Sequence, residues 1–225
     1  VDNVIFSPRA NLRFNPTQNI NLRLSYSSGF RAPQAFDEDM HIENVGGTVA
    51  MIERAKNLKE EKSQSFSASA DMYHRFGVFQ TNFLIEGFYT RLTDVFVLGE
   101  PYDRGDGILV KTRSNGPGAK VMGLTLEGKV AYLSILQIQA GLTLQRSRYD
   151  EPHKWHDDAP AEKKIFRTPD TYGYFTATYT PIKPLSIALS GTYTGRMLVQ
   201  RMDITAENAE LGAMPERKAE AIRTP

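Results

Sequence analysis

Apolar residues recur at every second position along much of the chain. Ala10, Leu12 and Phe14 alternate with Arg9, Asn11 and Arg13, and Ile20, Leu22, Leu24 and Tyr26 alternate with Asn21, Arg23, Ser25 and Ser27. A period of two puts each set on its own face of a strand, and Asn15-Pro16-Thr17-Gln18 between the runs reads as a turn, so the pair predicts a hairpin. A second hairpin sets Phe66, Ala68, Ala70 and Met72 against Ser65, Ser67, Ser69 and Asp71, reverses at Gly77 and returns as one long strand from Gln80 to Val97. A third descends from about Ile108 to Val130, bulged at Asn115-Gly116-Pro117-Gly118, turns near Tyr132 and rises through Ile138, Ala140, Leu142 and Leu144. The fourth runs from Arg167 to Thr180, turns through Pro181-Ile182-Lys183-Pro184 and rises through Leu185, Ile187, Leu189, Gly191 and Tyr193. The pattern thus predicts an all-β chain of about eight antiparallel strands in four hairpins.

Two features separate a membrane wall from a soluble sandwich. Short turns near Pro16, Gly77, Leu133 and Ile182 alternate with long polar segments after Ser28, Leu98, Arg148 and Arg196. Outer-membrane barrels sort their connections this way, with short periplasmic turns at one rim and long extracellular loops at the other. The second feature is the charge on the polar faces: Arg9, Arg13, Arg23, Asp71, Arg75, Glu86, Glu127 and Lys129 point where a sandwich needs its core. Unpaired buried charges cost several kcal/mol each, so those faces belong in water and the apolar faces in hydrocarbon. Phe14, Phe76, Phe79, Tyr132 and Tyr179 lie beside the short turns, where an interfacial aromatic girdle would stand.

Composition is compatible with this reading. The 225 residues carry a net charge of +1, which gives no general nucleic-acid footprint, and no cysteine, which removes a disulfide scaffold or a Cys-based zinc site. No apolar run approaches the roughly 20 residues of a spanning helix. Barrel strands need only about 9–11 residues each and keep mean hydropathy low, and here it is negative. Val1 opens directly in strand-type sequence with no leader, an expectation of a segment cut from a larger protein.

Four segments then resemble the barrel domain of TonB-dependent outer-membrane receptors, over about Phe6 to Gly195. Ser7-Pro8-Arg9 followed by Gly29-Phe30-Arg31-Ala32-Pro33 is similar to the family's S-P-R and G-F-R-A-P pair, and Leu58-Lys59-Glu60-Glu61-Lys62-Ser63 to its L-K-P-E-K-S, with Glu60 in place of proline. Asn115-Gly116 through Gly123-Leu124-Thr125-Leu126-Glu127-Gly128 resembles its N-A-G and G-x-E-x-E segment, enlarged by Pro117-Gly118, and Arg167-Thr168-Pro169 its R-x-P. The resemblance implies that residues 1–225 form a single segment from the C-terminal part of a transmembrane barrel of about 22 strands, with the plug domain and closing strands absent. It also implies residence in the Gram-negative outer membrane. The implied activity is uptake of a scarce small-molecule ligand, a metal chelate such as a siderophore, haem or cobalamin being favoured. Capture would occur at extracellular loops, with entry gated by the plug and powered by the TonB complex. Implied partners are outer-membrane lipid, the plug and TonB, with a surface lipoprotein optional and nucleic acid excluded; no cofactor is implied.

Candidate ligand contacts lie in the long loops: Phe36 and His41 in the first, Tyr102 and Arg104 in the second, His153, Trp155 and His156 in the third. Trp155, the single tryptophan, offers a rigid amphipathic platform. His153 to Asp158 carries metal-ligating residue types, but at a spacing that fixes no shared geometry, and a solvated ligand-facing loop is the expectation, with no metal site. Arg31, at a strand-to-loop junction, suits a structural contact to a carboxylate of the plug or rim. The sequence holds no nucleophile elbow, phosphate-binding glycine loop or zinc-hydrolase spacing, so no catalytic residue is assigned. A barrel hydrolase with His153 or His156 at the rim is the enzyme competitor. A passive porin-like channel, a small closed barrel and a soluble β-sandwich for adhesion stay open as alternatives.

Overall fold

A computed structural model describes residues 5–33, 50–99, 102–105, 109–154, 160–204 and 217–224. Its main sheet is an antiparallel meander of long strands: β1 (Arg9–Thr17), β2 (Ile20–Arg31), β4 (Glu61–Phe76), β5 (Phe79–Thr93), β9 (Ala119–Tyr132), β10 (Leu136–His153), β12 (Thr171–Ile182) and β13 (Leu185–Thr194). The numbers left out belong to loop strands: β3 (Ala50–Arg54), β6 (Phe96–Leu98), β7 (Tyr102–Asp103), β8 (Leu109–Asn115), β11 (Glu162–Lys164), β14 (Leu198–Ile204) and β15 (Arg217–Arg223). Neighbours in the meander are neighbours in sequence order, and β1 and β13 stand at the two open edges of the described sheet.

Register decides what each face carries, because residues directly opposite one another share a face. One row reads Phe14, Leu22, Ala70, Ile85, Leu126, Leu142, Gly173 and Tyr193 across all eight strands. The neighbouring row on the other face reads Arg13, Arg23, Ser69, Glu86, Thr125, Thr143, Tyr172 and Thr194. Among the described residues nothing covers the apolar face: Leu24, Leu142 and Leu189 are among some thirty large hydrophobic side chains left exposed, while only Val110, Ala119 and Leu198 are buried apolar residues. A sandwich would bury these leucines against a second sheet, so the soluble alternative has no core here to stand on.

Aromatic residues bound the apolar face. Phe76, Phe79, Tyr132 and Tyr179 share one row at the short-turn end, and Tyr26, Phe66 and Tyr89 share another near the loop end. Phe79 and Tyr89 stand ten residues apart on β5. That is about 33 Å along a strand, or about 25 Å of height at a tilt of about 40°, the thickness of the apolar band in outer-membrane barrels.

The polar face is wet but connected. Asp71 accepts hydrogen bonds from the Tyr73 hydroxyl (2.7 Å) and from the Asn82 carboxamide, the Thr125 and Thr143 hydroxyls meet at 3.0 Å, and the Gln139 amide donates to the Tyr174 hydroxyl at 2.8 Å. Phe88 lies across Gly123 on the next strand, where a Cβ would come within 2.5 Å of its ring. This close approach explains why the Gly123-Leu124 pair, rather than a larger residue, opens that stretch.

Several local expectations are corrected. The first turn is Gln18-Asn19 instead of Asn15 to Gln18, because β1 continues to Thr17 through a bulge that accommodates Pro16. A matching bulge at Pro181 moves the last tight turn to Lys183-Pro184. Proline lacks the N–H that a regular ladder needs, and a bulge removes that demand. The strands read as Gln80 to Val97 and Ile108 to Val130 each break in two, at Asp94 and at 116–118. The long polar segment after Arg196, expected to supply no closing strand, adds none to the main sheet among the described residues and carries a separate β14–β15 hairpin.

The faces make a sharp mutational contrast. Leu142→Arg, in the middle of the apolar face, is expected to destabilise the protein in bilayers by about 2–4 kcal/mol. Ser190→Arg on the polar face should change stability by less than about 0.5 kcal/mol. Denaturant unfolding from liposomes, followed by tryptophan fluorescence, measures both.

Candidate functional site

At the loop end the meander hands over to a second, smaller sheet. β5 stops at Thr93, Asp94 takes a left-handed conformation (φ 55°), and the chain re-enters strand as β6 in a different sheet. There β8 is central: β6 and β7 pair with it antiparallel, and β3, from the preceding loop, pairs with it in parallel. Two consecutive loops are thereby knitted into one platform, with Val110 fully buried and Arg113 buried beside the barrel rim.

The seam between sheet and platform is made by one carboxamide. Asn115 Nδ2 donates to the carbonyls of Asp94 (2.8 Å) and Lys59 (3.0 Å), and its Oδ1 accepts the Lys59 N–H at 2.8 Å. Gly116 follows because its amide donates to the Val95 carbonyl at 2.7 Å and a Cβ there would lie 2.6 Å from Val97. Next to it, Arg31 Nη2 bonds Glu61 Oε2 at 3.0 Å and its guanidinium lies 4.8 Å from the Phe96 ring centre, while the Phe96 N–H donates to the same Glu61 oxygen at 3.1 Å. The half-exposed ion pair is worth about 0.2–1 kcal/mol alone. Its effect here is positional: one Glu61 oxygen accepts from both Arg31 and the Phe96 N–H, so the start of β6 is pinned to the top of β2 and β4.

Of the predicted ligand contacts, Tyr102 is exposed on β7, opposite Val110. Arg104 donates to Glu53 of β3 at 3.2 Å, a second tie between the two loops. This stretch of the second long loop contains a short strand, followed by a turn in which the Gly105 N–H donates to Asp103 Oδ1 at 2.7 Å. His153 ends β10 half-buried, with its ring 5.5 Å from that of Tyr149, and this burial lowers its pKa, favouring the neutral imidazole. Phe36, His41, Trp155 and His156 lie outside the described residues. No group of three metal-ligating side chains gathers among the described residues. Glu53, Phe96 and Asn115 had no place among the candidate site residues; the Asn-Gly pair was the visible signal, read as a bulge and as part of the family-like segment but not as a joint between loops.

This geometry has relatives. The family model described as TonB dependent receptor-like, beta-barrel matches residues 2–212. The chain belongs to that family. Its structure is similar to the FrpB iron transporter of Neisseria meningitidis (17% identity, TM-score 0.57, 85% of this chain and 27% of that one). It is also similar to the siderophore receptor PirA of Pseudomonas aeruginosa (18%, 0.58, 89% and 36%) and to the ferric-catecholate import receptor Fiu of E. coli K12 (15%, 0.53, 84% and 24%). The chain thus spans about a quarter to a third of the solved receptors it matches, as a partial barrel wall. A search of curated protein sequences found no match. Family membership places the chain in the outer membrane of a Gram-negative bacterium, with the apolar face in lipid, the polar face in the lumen and the small sheet outside the cell.

The seam predicts a local effect of Asn115→Ala. Losing three hydrogen bonds should raise amide exchange at Lys59 and Gly116 by at least about tenfold, while amides of β9 and β10 within the apolar band keep their protection. Hydrogen exchange read by mass spectrometry checks both halves.

Proposed function

We propose that the chain is one continuous stretch of wall and extracellular platform in a receptor that captures a scarce small molecule outside the cell and imports it actively. A metal chelate, such as a siderophore, haem or cobalamin complex, is the favoured ligand. The observation that carries this reading is the platform itself: β3 paired in parallel with β8 turns two long loops into an ordered surface at the mouth of a polar lumen. A passive pore has no need to order its loops on one another, whereas a capture site does, because rigid loops lose less entropy on binding. The iron and siderophore transport named for the structural neighbours supports the ligand class.

In this reading Tyr102 and Arg104 present a polar, partly aromatic surface from the platform, and Phe36, His41, His153, Trp155 and His156 contribute from the flanking loops. Arg31 acts structurally, keeping the platform seated on the rim beside the plug. The plug and the TonB complex supply gating and energy, and the reaction is transport with no chemical conversion of the ligand.

A deletion strain carrying the full-length gene on a plasmid tests this. Growth should return on one sole source of iron, haem or cobalamin, and uptake of that labelled compound should stop when TonB is deleted. Trp155→Ala should weaken cell-surface binding at low temperature by about tenfold. Uptake that persists without TonB would favour the porin reading, and growth restored on no source would remove the metal-chelate assignment.

A further inference from the structure

Charge is unevenly spread over the lumen face. β1, β2, β4, β5 and β9 each carry it there: Arg13, Arg23, Asp71, Glu86 and Glu127 all stand on the polar side of the sheet. The same rows continue onto β10, β12 and β13 as Thr143, Tyr172 and Thr194, and as Gly141, Tyr174 and Thr192. There the charge stops. Every lumen-facing position of β10 from Gln137 to Ser147, of β12 from Tyr172 to Thr180 and of β13 from Ser186 to Thr194 is Gln, Ser, Thr, Tyr, Gly or Ala. Residues 137 to 147 span about 33 Å of strand, so this uncharged sector runs the full height of the apolar band.

The sector is also low in relief and marked at both ends. Tyr174 lies along the wall over Gly141, where a Cβ would come within 2.5 Å of the ring, and its hydroxyl is held by the Gln139 amide at 2.8 Å. At the turn end, Gln137, Thr178, Thr180 and Ser134 line a recess of about 230 Å³. At the loop end, the Ser147 side chain is 1% exposed and its hydroxyl has no hydrogen-bond partner among the described residues. Hydroxyl and carboxamide groups both donate and accept, so they exchange one partner for another at little net cost. A charged side chain instead holds its counter-charge or its water strongly. Transit needs the first kind of wall, with many shallow sites of similar depth.

We propose that the lumen face of β10, β12 and β13 is the track along which the imported solute passes, and that it selects a chelate whose charge is masked. The fitting solute is a net-neutral complex with a surface rich in oxygen or amide groups, handed from Ser147 down to the recess at Gln137. This inference rests on the transport reading above and narrows it. A neutral ferric tris-hydroxamate or a cobalamin fits such a track. A ferric tris-catecholate or a haem carries anionic groups, which find no cation on these three strands and would pass them unpaired. Arg13 and Arg23, which could pair them, stand on the other side of the described wall and would retain them.

Cells carrying the full-length receptor test the track with four radiolabelled probes: a neutral ferric tris-hydroxamate, cyanocobalamin, an anionic ferric tris-catecholate and haem. TonB-dependent uptake of one neutral probe should run at least about tenfold faster than that of either anionic probe. Ser190→Asp and Ser190→Lys should each lower this uptake by about tenfold, while binding at the cell surface stays within about twofold. Ser190→Asn should leave both unchanged, and so should Ser69→Asp, which adds a charge on β4 outside the track. Thr176→Asp against Thr176→Asn repeats the comparison on β12. Anionic probes entering as fast as neutral ones, full uptake by Ser190→Asp, or a loss with only one sign of charge would each overturn the track and leave the receptor reading standing. Absence of TonB-dependent uptake of all four probes would remove that reading and the track with it. The probe comparison on the unaltered receptor decides the matter even if a variant fails to assemble.

Discussion

A bilayer offers the backbone no hydrogen-bond partner, so any chain that crosses it as strands must pair each strand with a neighbour and sort its side chains by face. Everything else in this protein follows from that constraint. The meander supplies the ladder from β1 to β13, and the register holds Leu22, Ile85, Leu126 and Leu142 in one row while Arg23, Glu86 and Thr125 hold the next. A single-residue slip would exchange the two sets, placing arginine in hydrocarbon and leucine in water. The bulges at Pro16 and Pro181 sit beside tight turns, outside the paired centre of the band, where they leave this sorting intact.

Freed from that constraint, the chain above the membrane does what the band forbids. Strands pair in parallel, break at Asp94 and turn on side-chain hydrogen bonds. The rim is where the two regimes meet, and its parts come from segments far apart in sequence: Arg31 from the first hairpin, Lys59 and Glu61 from the second, Asp94, Phe96 and Asn115 from the following loop. Three of the four sequence segments that resemble the receptor family converge here or in the band just below. Their spacing thus reflects a physical joint as much as an inherited pattern.

How much of this was legible in the sequence depends on the range of the interaction. Alternation in β1, β2, β4, β9, β10 and β13 is a local property, and it revealed strands, faces and the alternation of short and long connections. The break in the long return strand was not legible, because Val95 and Val97 keep the two-residue period of Phe83, Ile85 and Tyr89, and only the Asn115 carboxamide, 21 residues from the Asp94 carbonyl it bonds, ties down the point where the chain leaves that sheet. Parallel pairing of β3 with β8 is equally invisible, since a five-residue strand in a polar loop carries no periodic signal of its own. Residues 217–223, Arg-Lys-Ala-Glu-Ala-Ile-Arg, read as part of a polar ending because charged residues fall at both odd and even positions and leave no apolar period in the sequence.

The direction in which the apolar face looks can be measured along one strand. This stretch contains no cysteine, so in a receptor cleared of any cysteine elsewhere single cysteines from Met122 to Val130 can each carry a nitroxide in lipid. Relaxation by oxygen, which concentrates in hydrocarbon, should peak at positions 122, 124, 126 and 130, and relaxation by a water-soluble nickel complex at 123, 125, 127 and 129. Loss of this two-residue period, with the leucine positions shielded from both agents, would mean a closed protein core and contradict the account.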